Sequence, residues 1–153
     1  MPDSPTGATT QHPWVALGFD FGTRRIGVAA GDSLTNGARP IGVVAAHAGI
    51  PEWTPLERFI RDWAPRILIV GVPYNMDGPE GSLTAAAIHF AAELKQRFGL
   101  PVIPVDERLS SREAEAILRS QRASGARPRR VRHEEVESAA ACVRLEHWLR
   151  GRD

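Results

Sequence analysis

Short runs of hydrophobic residues in the first half of the chain predict β-strands. An apolar run over residues 15–19 stops abruptly at Asp20, and a second run covers residues 26–30. The two runs are so close together that only an antiparallel hairpin fits. Residues 39–46 can supply a third strand, and residues 67–72 are apolar on both faces, which is typical of a buried, parallel strand.

The second half of the chain alternates between helical and extended patterns. Apolar residues recur every three or four positions over 54–63 and 83–98, which predicts two helices. A strand is predicted over 102–105 and a last helix over about 133–149, and Ser110-x-x-Glu113 is a capping box for a helix between them. The order β-β-β-α-β-α-β-α-α predicts an α/β fold with a mixed five-stranded sheet, three antiparallel strands followed by two parallel strands, and helices on both faces.

Length and composition fit one globular domain. The chain has 153 residues, of which 42% are hydrophobic and 24% are charged. We expect residues 1–13, which are polar and lack the apolar segment of a secretory signal, to form a disordered tail and residues 14–150 to form the domain. The longest apolar stretch, about residues 67–74, is far shorter than the ~20 residues of a membrane-spanning helix. We therefore expect no membrane partner. Because there is one cysteine, Cys142, an intrachain disulfide is excluded, and we expect a cytoplasmic protein.

The positive charge of the chain is concentrated in one segment. There are 19 basic and 18 acidic residues in total, yet residues 119–132 carry six arginines and no acid. This segment contains Gly125 and Pro128 and lacks periodicity over 121–132, so it is predicted to be a loop. Arginine suits phosphate because its planar fork can bond two oxygens at once. We therefore expect the loop to bind a nucleic acid backbone through Arg127, Arg129, Arg130 and Arg132.

Acidic residues follow the ends of distant predicted strands. Asp20 ends the first strand, and Asp106 and Glu107 follow the fifth. The carboxyl ends of strands joined by helical crossovers gather at one edge of a sheet, so these acids should meet there. Like charges held together repel, and a hard divalent cation such as Mg²⁺ or Mn²⁺ would offset that repulsion. Each acid also has a local explanation: Asp20 can cap a turn, Asp106-Glu107-Arg108 can form an ion pair, and Glu137 suits the first turn of a helix.

Four segments, in the same order along residues 15–150, resemble the motifs of the YqgF (RuvX) family of bacterial nucleases. They are Asp20-Phe-Gly-Thr-Arg-Arg-Ile-Gly-Val-Ala29, Val70-Gly-Val-Pro-Tyr-Asn-Met-Asp-Gly78, Val105-Asp-Glu-Arg-Leu-Ser-Ser-Arg-Glu-Ala114 and Val136-Glu-Ser-Ala-Ala140. The resemblance implies an RNase H-like fold, akin to RuvC-type resolvases, and a metal-dependent phosphodiesterase site. It also implies a role in trimming the 5′ end of the 16S ribosomal RNA precursor, with Holliday junction resolution as an older proposal for the family.

The same resemblance assigns roles to individual residues. The catalytic acids would be Asp20, Asp106, Glu107 and Glu137, and the ligands of one or two Mg²⁺ or Mn²⁺ ions would be Asp20, Glu107 and Glu137. The family usually has aspartate where this chain has Glu137, whose side chain is one methylene longer. The ions would activate a water molecule that attacks phosphorus. Apart from the resemblance, we expect four residues near these acids to contact nucleic acid because of their predicted positions: Arg24, Arg25, Asn75 and Arg108.

Two other functions are compatible with these residues. The Asp-x-Gly-Thr sequence also opens the phosphate loop of the actin and sugar-kinase superfamily, but those proteins hold ATP between two such domains and this chain supplies one. A non-catalytic protein that binds nucleic acid through its basic loop is the other alternative. Structured RNA is the partner that the resemblance favours, and branched DNA is a second one. No base-reading motif is visible, so shape and phosphates could serve for recognition of either. A homodimer is left open, because a four-way junction would favour twofold symmetry.

Overall fold

The structure, a computed structural model, describes residues 12–73, 82–106 and 133–151. The expected N-terminal tail and the predicted helix and basic loop before residue 133 lie outside these ranges, apart from the exposed residues His12 and Pro13 at the end of the tail. The division into a tail and one domain therefore stays a prediction.

The described residues form six strands and three helices, and their bounds are close to the predicted ones. The strands are β1 (Val15–Asp20), β2 (Arg25–Asp32), β3 (Ala38–His47), β4 (Ile50–Pro51), β5 (Ile67–Val72) and β6 (Val102–Asp106). The helices are α1 (Trp53–Trp63), α2 (Ser82–Phe98) and α3 (His133–Gly151).

The strands form one mixed sheet in the order β4-β3-β2-β1-β5-β6. β1 pairs antiparallel with β2 and parallel with β5, which in turn pairs parallel with β6. The predicted arrangement of antiparallel and then parallel strands is confirmed. The predicted number of five strands is corrected to six, because β4 folds back on the end of β3 through a turn at Ala48 and Gly49, both with positive φ. A strand of two residues is too short to show any alternation in the sequence.

Helices cover both faces of the sheet, as predicted. On one face, Leu56 of α1 and Phe90 of α2 belong to the core that includes Phe19 and Leu68 of the sheet. On the other face, Leu145 and Leu149 of α3 pack with alanines and with isoleucine from the sheet. β1 lies in the middle of both cores, so the residues at its end are held by packing from either side.

Close contact between α3 and the sheet depends on glycine. A Cβ atom at Gly27 of β2 would overlap the backbone carbonyl of Glu137 on α3. Ser138, the next residue, donates a 3.0 Å hydrogen bond from its hydroxyl to the carbonyl of Gly42 on β3. The beginning of α3 therefore lies directly on β2 and β3, beside the end of β1. Within the described ranges, none of the helices combines the length and apolarity needed to cross a membrane.

Candidate active site

Asp20 is the last residue of the central strand β1 and lies on the face of the sheet that α3 covers. Its neighbours across the sheet are glycines on both sides, Gly27 of β2 and Gly71 of β5. The residue is 9% exposed. The two glycines leave space around the carboxylate that side chains on β2 and β5 would otherwise fill, and α3 supplies the groups that enter it.

Arg144 is the main partner of Asp20, and it is a site residue that the sequence patterns do not single out. Its Nη2 donates a 3.0 Å hydrogen bond to Oδ1 of Asp20, and the two side chains are 4% and 12% exposed. The guanidinium lies against Gly71, where an added Cβ would overlap it. One signal could have identified Arg144: it lies two helical turns after Glu137, on the inward face that continues with Leu145.

Glu137 occupies the same face near the start of α3 and has an arginine partner of its own. Its Oε1 accepts a 3.1 Å hydrogen bond from Nε of Arg25, with side chains 26% and 32% exposed. The backbone of Glu137 covers Gly27, the residue paired with Asp20 in the sheet. The backbone of Glu137 thus lies over the glycine that pairs with Asp20, and each of the two carboxylates has a guanidinium partner.

Asp106 ends β6 at the same edge of the sheet but on the other face by strand alternation. Ile103 and Val105 pack in the core under α3, whereas Val102 packs with the core under α1 and α2. Asp106 is an even number of positions from Val102 and pairs with Val72, which is also in the α1 and α2 core. Its backbone is therefore close to the end of β5, but alternation assigns its side chain to the face opposite Asp20.

The remaining predicted site residues are only partly covered by the structure. Arg24 lies in the turn between β1 and β2 and is exposed, whereas Arg25 is half-buried in its ion pair with Glu137. The others lie outside the described residues, and their roles stay predictions: Asn75, Glu107, Arg108, Arg127, Arg129, Arg130 and Arg132.

The described residues supply some of the oxygen ligands that a cation such as Mg²⁺ needs. Asp20 and Glu137 offer carboxylate oxygens, and Mg²⁺ is commonly held by one or two carboxylates with phosphate and water completing its shell. Among the described residues, no group of three or more histidine, cysteine, aspartate or glutamate side chains is arranged to hold a metal ion. Glu107, the third ligand expected from the sequence, lies in the segment that follows β6, outside the described residues.

Comparison with solved structures supports the fold. RuvC of T. thermophilus in complex with a Holliday junction substrate aligns with a TM-score of 0.56 at 16% identity, over 90% of this chain and 95% of that chain. A second structure of Thermus thermophilus RuvC gives a TM-score of 0.52 at 16% identity over the same shares. This likeness confirms the RNase H-like fold.

Comparison of sequences identifies close relatives. A protein of Legionella pneumophila (strain Paris) with the name "Putative pre-16S rRNA nuclease" is 50% identical over 135 residues, 88% of this chain and 94% of that protein. A protein of the same name from Coxiella burnetii (strain RSA 331 / Henzerling II) is 45% identical over 135 residues, 88% of this chain and 92% of that protein. The family model described as "RuvX: Holliday junction resolvase" matches residues 14–151. With the motifs, the fold and nearly the whole length in agreement, the chain belongs to the RuvX family.

Proposed function

We propose that this protein is a metal-dependent nuclease that processes the 5′ end of the 16S ribosomal RNA precursor. The observation that carries the proposal is the position of Asp20, a carboxylate fixed at the end of the central strand with glycines on both sides. Rigid placement on a strand is what a metal ligand requires. The names of the Legionella and Coxiella relatives support the substrate.

The acids of this chain take different roles in the proposal. Asp20 is the central metal ligand, and Glu137 approaches it from α3 across Gly27. Since strand alternation assigns Asp106 to the face opposite Asp20, we propose Glu107, the residue after β6, as the second metal ligand. Asp106 has a supporting role at the end of β6. A divalent cation held by these acids would activate water and offset the negative charge that develops on the phosphate.

Basic residues around this edge would bind the nucleic acid. Arg24 is exposed in the turn that follows Asp20, where it can contact a phosphate. Arg25 donates from Nε to Glu137, and we assign its contact with a phosphate to the substrate-bound state. The sequence of the basic loop supports further phosphate contacts from Arg127, Arg129, Arg130 and Arg132, and we place Asn75 and Arg108 beside the substrate path. The proposed setting is the cytoplasm.

Two alternative functions remain, and one observation favours each of them. The description of the matching family model and the fold shared with RuvC favour cleavage of a Holliday junction. The arginine partners of Asp20 and Glu137 favour a protein that binds nucleic acid without cutting it, since both carboxylates already have a positive partner.

One experiment separates the three. Purified protein is incubated with Mg²⁺ or Mn²⁺ and with precursor 16S rRNA, single-stranded RNA or a four-way DNA junction, and the products are mapped. We expect metal-dependent cleavage near the 5′ end of the precursor, and its loss in Asp20→Asn. Cleavage of the junction alone would favour the resolvase, and binding without cleavage at any metal concentration would favour the non-catalytic protein.

Asp62→Asn is the matched control for this experiment. Asp62 lies on α1 in an exposed ion pair with Arg61, so the substitution makes the same chemical change away from the site. Cleavage should be unchanged in Asp62→Asn. If it survives in Asp20→Asn as well, a contaminating nuclease or a different site is responsible, and the proposed site is wrong.

A further inference from the structure

The guanidinium of Arg144 lies where a cation would be expected beside Asp20. Its Nη2 is 3.0 Å from Oδ1 of the carboxylate, and only 4% of the arginine side chain is exposed. An arginine is almost never buried to this degree without a partner for its charge, and Asp20 is that partner. Asp20 and Arg144 are 124 residues apart in the sequence, so the pair forms only when α3 is docked on the sheet.

The sheet is shaped to accept this guanidinium. Gly71 of β5 is the neighbour of Asp20 in the sheet, and an added Cβ there would overlap the guanidinium carbon and two of its nitrogens. The absent side chain of Gly71 thus leaves a place for the arginine head group next to the carboxylate. The contacts of the guanidinium with Gly71 and with Asp20 make its position a built feature of the fold.

We propose that Arg144 is a resident cation of this site: it holds the Asp20 carboxylate when no metal is bound, and it lowers the affinity of the site for a divalent metal. The inference rests on the proposed function in that Asp20 is taken as a metal ligand. A divalent ion that approaches Asp20 is repelled by the guanidinium of Arg144, a fixed positive charge 3.0 Å from Oδ1 of the carboxylate. The ion must either displace the guanidinium from Oδ1 or share the carboxylate with it.

This arrangement has two consequences that differ from those of a purely structural arginine. Loss of the positive charge should make divalent metals bind more tightly, because their competitor is gone. It should also make the stability of the protein depend on metal, because the metal would then be the cation that balances the buried Asp20. A purely structural arginine would affect stability alone and leave the affinity for metal unchanged.

The test compares Mn²⁺ binding in a set of variants by electron paramagnetic resonance, without substrate. Arg144→Gln removes the charge while keeping an amide that can donate to Asp20, and Arg144→Lys keeps the charge. Arg150→Gln is the control, since Arg150 lies on the same helix in an exposed pair with Glu146. We expect Kd for Mn²⁺ to fall at least tenfold in Arg144→Gln, and to stay within about threefold of the original in the other two variants.

Thermal unfolding of the same proteins gives a second readout. Without metal, Arg144→Gln should unfold at a lower temperature than the original protein, and saturating Mn²⁺ should raise its Tm by more than it raises that of the original. An unchanged or higher Kd for Mn²⁺ in folded Arg144→Gln would overturn the proposal, and so would an equal effect of Mn²⁺ on both Tm values.

A measurement on the unmodified protein covers the case in which Arg144→Gln does not fold. The side-chain N–H signals of Arg144 are followed by NMR while Mg²⁺ is added up to the concentration at which Mg²⁺ binding saturates. We expect them to shift as Mg²⁺ binds, and unmoved signals at saturation would overturn the proposal.

Failure of the inference and failure of the proposed function give different results. If the original protein binds Mn²⁺ and Asp20→Asn does not, Asp20 is a metal ligand, and the Arg144 variants then decide the inference alone. If the original protein and Asp20→Asn bind Mn²⁺ equally, or neither binds it, the metal site itself is wrong and the inference falls with it.

Discussion

At the scale of single residues, the buried pair of Asp20 and Arg144 couples the chemistry of the site to the stability of the protein. Both side chains are almost inaccessible to water, and each supplies the charge that the other needs. Removing one member of such a pair leaves an uncompensated buried charge, which is far more costly than loss of an ion pair at the surface. Substitutions at Asp20 therefore change more than the proposed metal ligand.

Asp20→Asn should lower the free energy of unfolding by about 3 kcal/mol, because asparagine keeps a hydrogen-bond acceptor for Arg144 but loses the balancing charge. Urea denaturation of Asp20→Asn, Arg144→Met and the double variant measures the effect. We expect the double variant to be more stable than the sum of the single losses predicts, by at least about 1 kcal/mol.

The exposed pair of Arg61 and Asp62 provides the comparison for this cycle. Asp62→Asn should change stability by no more than about 0.5 kcal/mol, since both side chains are well exposed. Additive effects of Asp20→Asn and Arg144→Met would show that the two residues are not coupled, contrary to their 3.0 Å contact.

Cys142 gives a residue-scale measure of how firmly α3 is docked. Its thiol donates a hydrogen bond to the carbonyl of Ala38 at 3.1 Å. Burial, and next to it the negative charge of Glu146, raises the pKa of the Cys142 thiol from 9.0 to about 11. At pH 8 the fraction of Cys142 present as thiolate should thus be about a hundredfold lower than for a cysteine with an unshifted pKa. Alkylation should be slower by a similar factor.

Alkylation by iodoacetamide, followed by mass spectrometry in buffer and in urea, checks this expectation. The rate should rise steeply once urea unfolds the chain. A rate in buffer equal to that of the unfolded chain would mean that the Cys142 thiol is not held against the carbonyl of Ala38.

At the scale of the elements, the position of α3 on the sheet decides which groups surround Asp20. The helix lies directly on β2 because Gly27 has no side chain, and Glu137 and Arg144 follow from that placement. A helix raised by the width of one methyl group would carry both residues away from Asp20.

Gly27→Ala should therefore destabilise the protein by about 3 kcal/mol, because its Cβ would overlap helix backbone that cannot move aside as a side chain can. Gly151→Ala is the matched control, since nothing lies within 4 Å of the added Cβ at that end of the same helix. Chemical denaturation of both variants measures the difference, and a Gly27→Ala protein as stable as the control would contradict the close packing of α3 on β2.

The elements themselves were largely predictable from the sequence, whereas the partners of the site residues were not. The apolar run ending at Asp20 and the apolar centre of α3 give strand and helix patterns that need no tertiary information. β4 was not predicted because a strand of two residues shows no alternation of apolar and polar positions. Arg144 was not predicted because its position two helical turns after Glu137 is only a weak signal, and its partner Asp20 lies 124 residues away in the sequence.

The ion pair of Arg25 with Glu137 shows the same limit. Two adjacent arginines, Arg24 and Arg25, are indistinguishable in the sequence as phosphate ligands, but strand alternation and the position of α3 give them different surroundings. The placement of Asp20 at the carboxyl edge, by contrast, follows from the order of strands and helices, which the sequence does reveal.

At the scale of the whole molecule, the proposed function requires individual arginines, and not the net charge, to attract nucleic acid. The formal net charge is only +1, so attraction must come from where the arginines lie. Arg24 is exposed beside Asp20, and the arginine-rich sequence of 119–132 lies outside the described residues.

Arg24→Gln should weaken binding of RNA of any sequence to a similar degree and reduce the slope of log K against log salt by about 1, because one phosphate contact is lost. Arg58→Gln, an exposed arginine on α1, makes the same change of net charge elsewhere. Fluorescence anisotropy over a range of salt concentrations compares the two. Equal effects of both variants would mean that net charge alone governs binding, and an effect on one sequence only would mean that Arg24 contacts a base.

The proposal that Asp20 ligates a divalent metal is tested most directly by diffraction from crystals soaked in Mn²⁺ at the concentration that supports cleavage. We expect an anomalous peak about 2.0–2.3 Å from a carboxylate oxygen of Asp20. The result that would contradict it is a map in which Asp20 remains bonded to Arg144 and no anomalous peak lies beside its carboxylate.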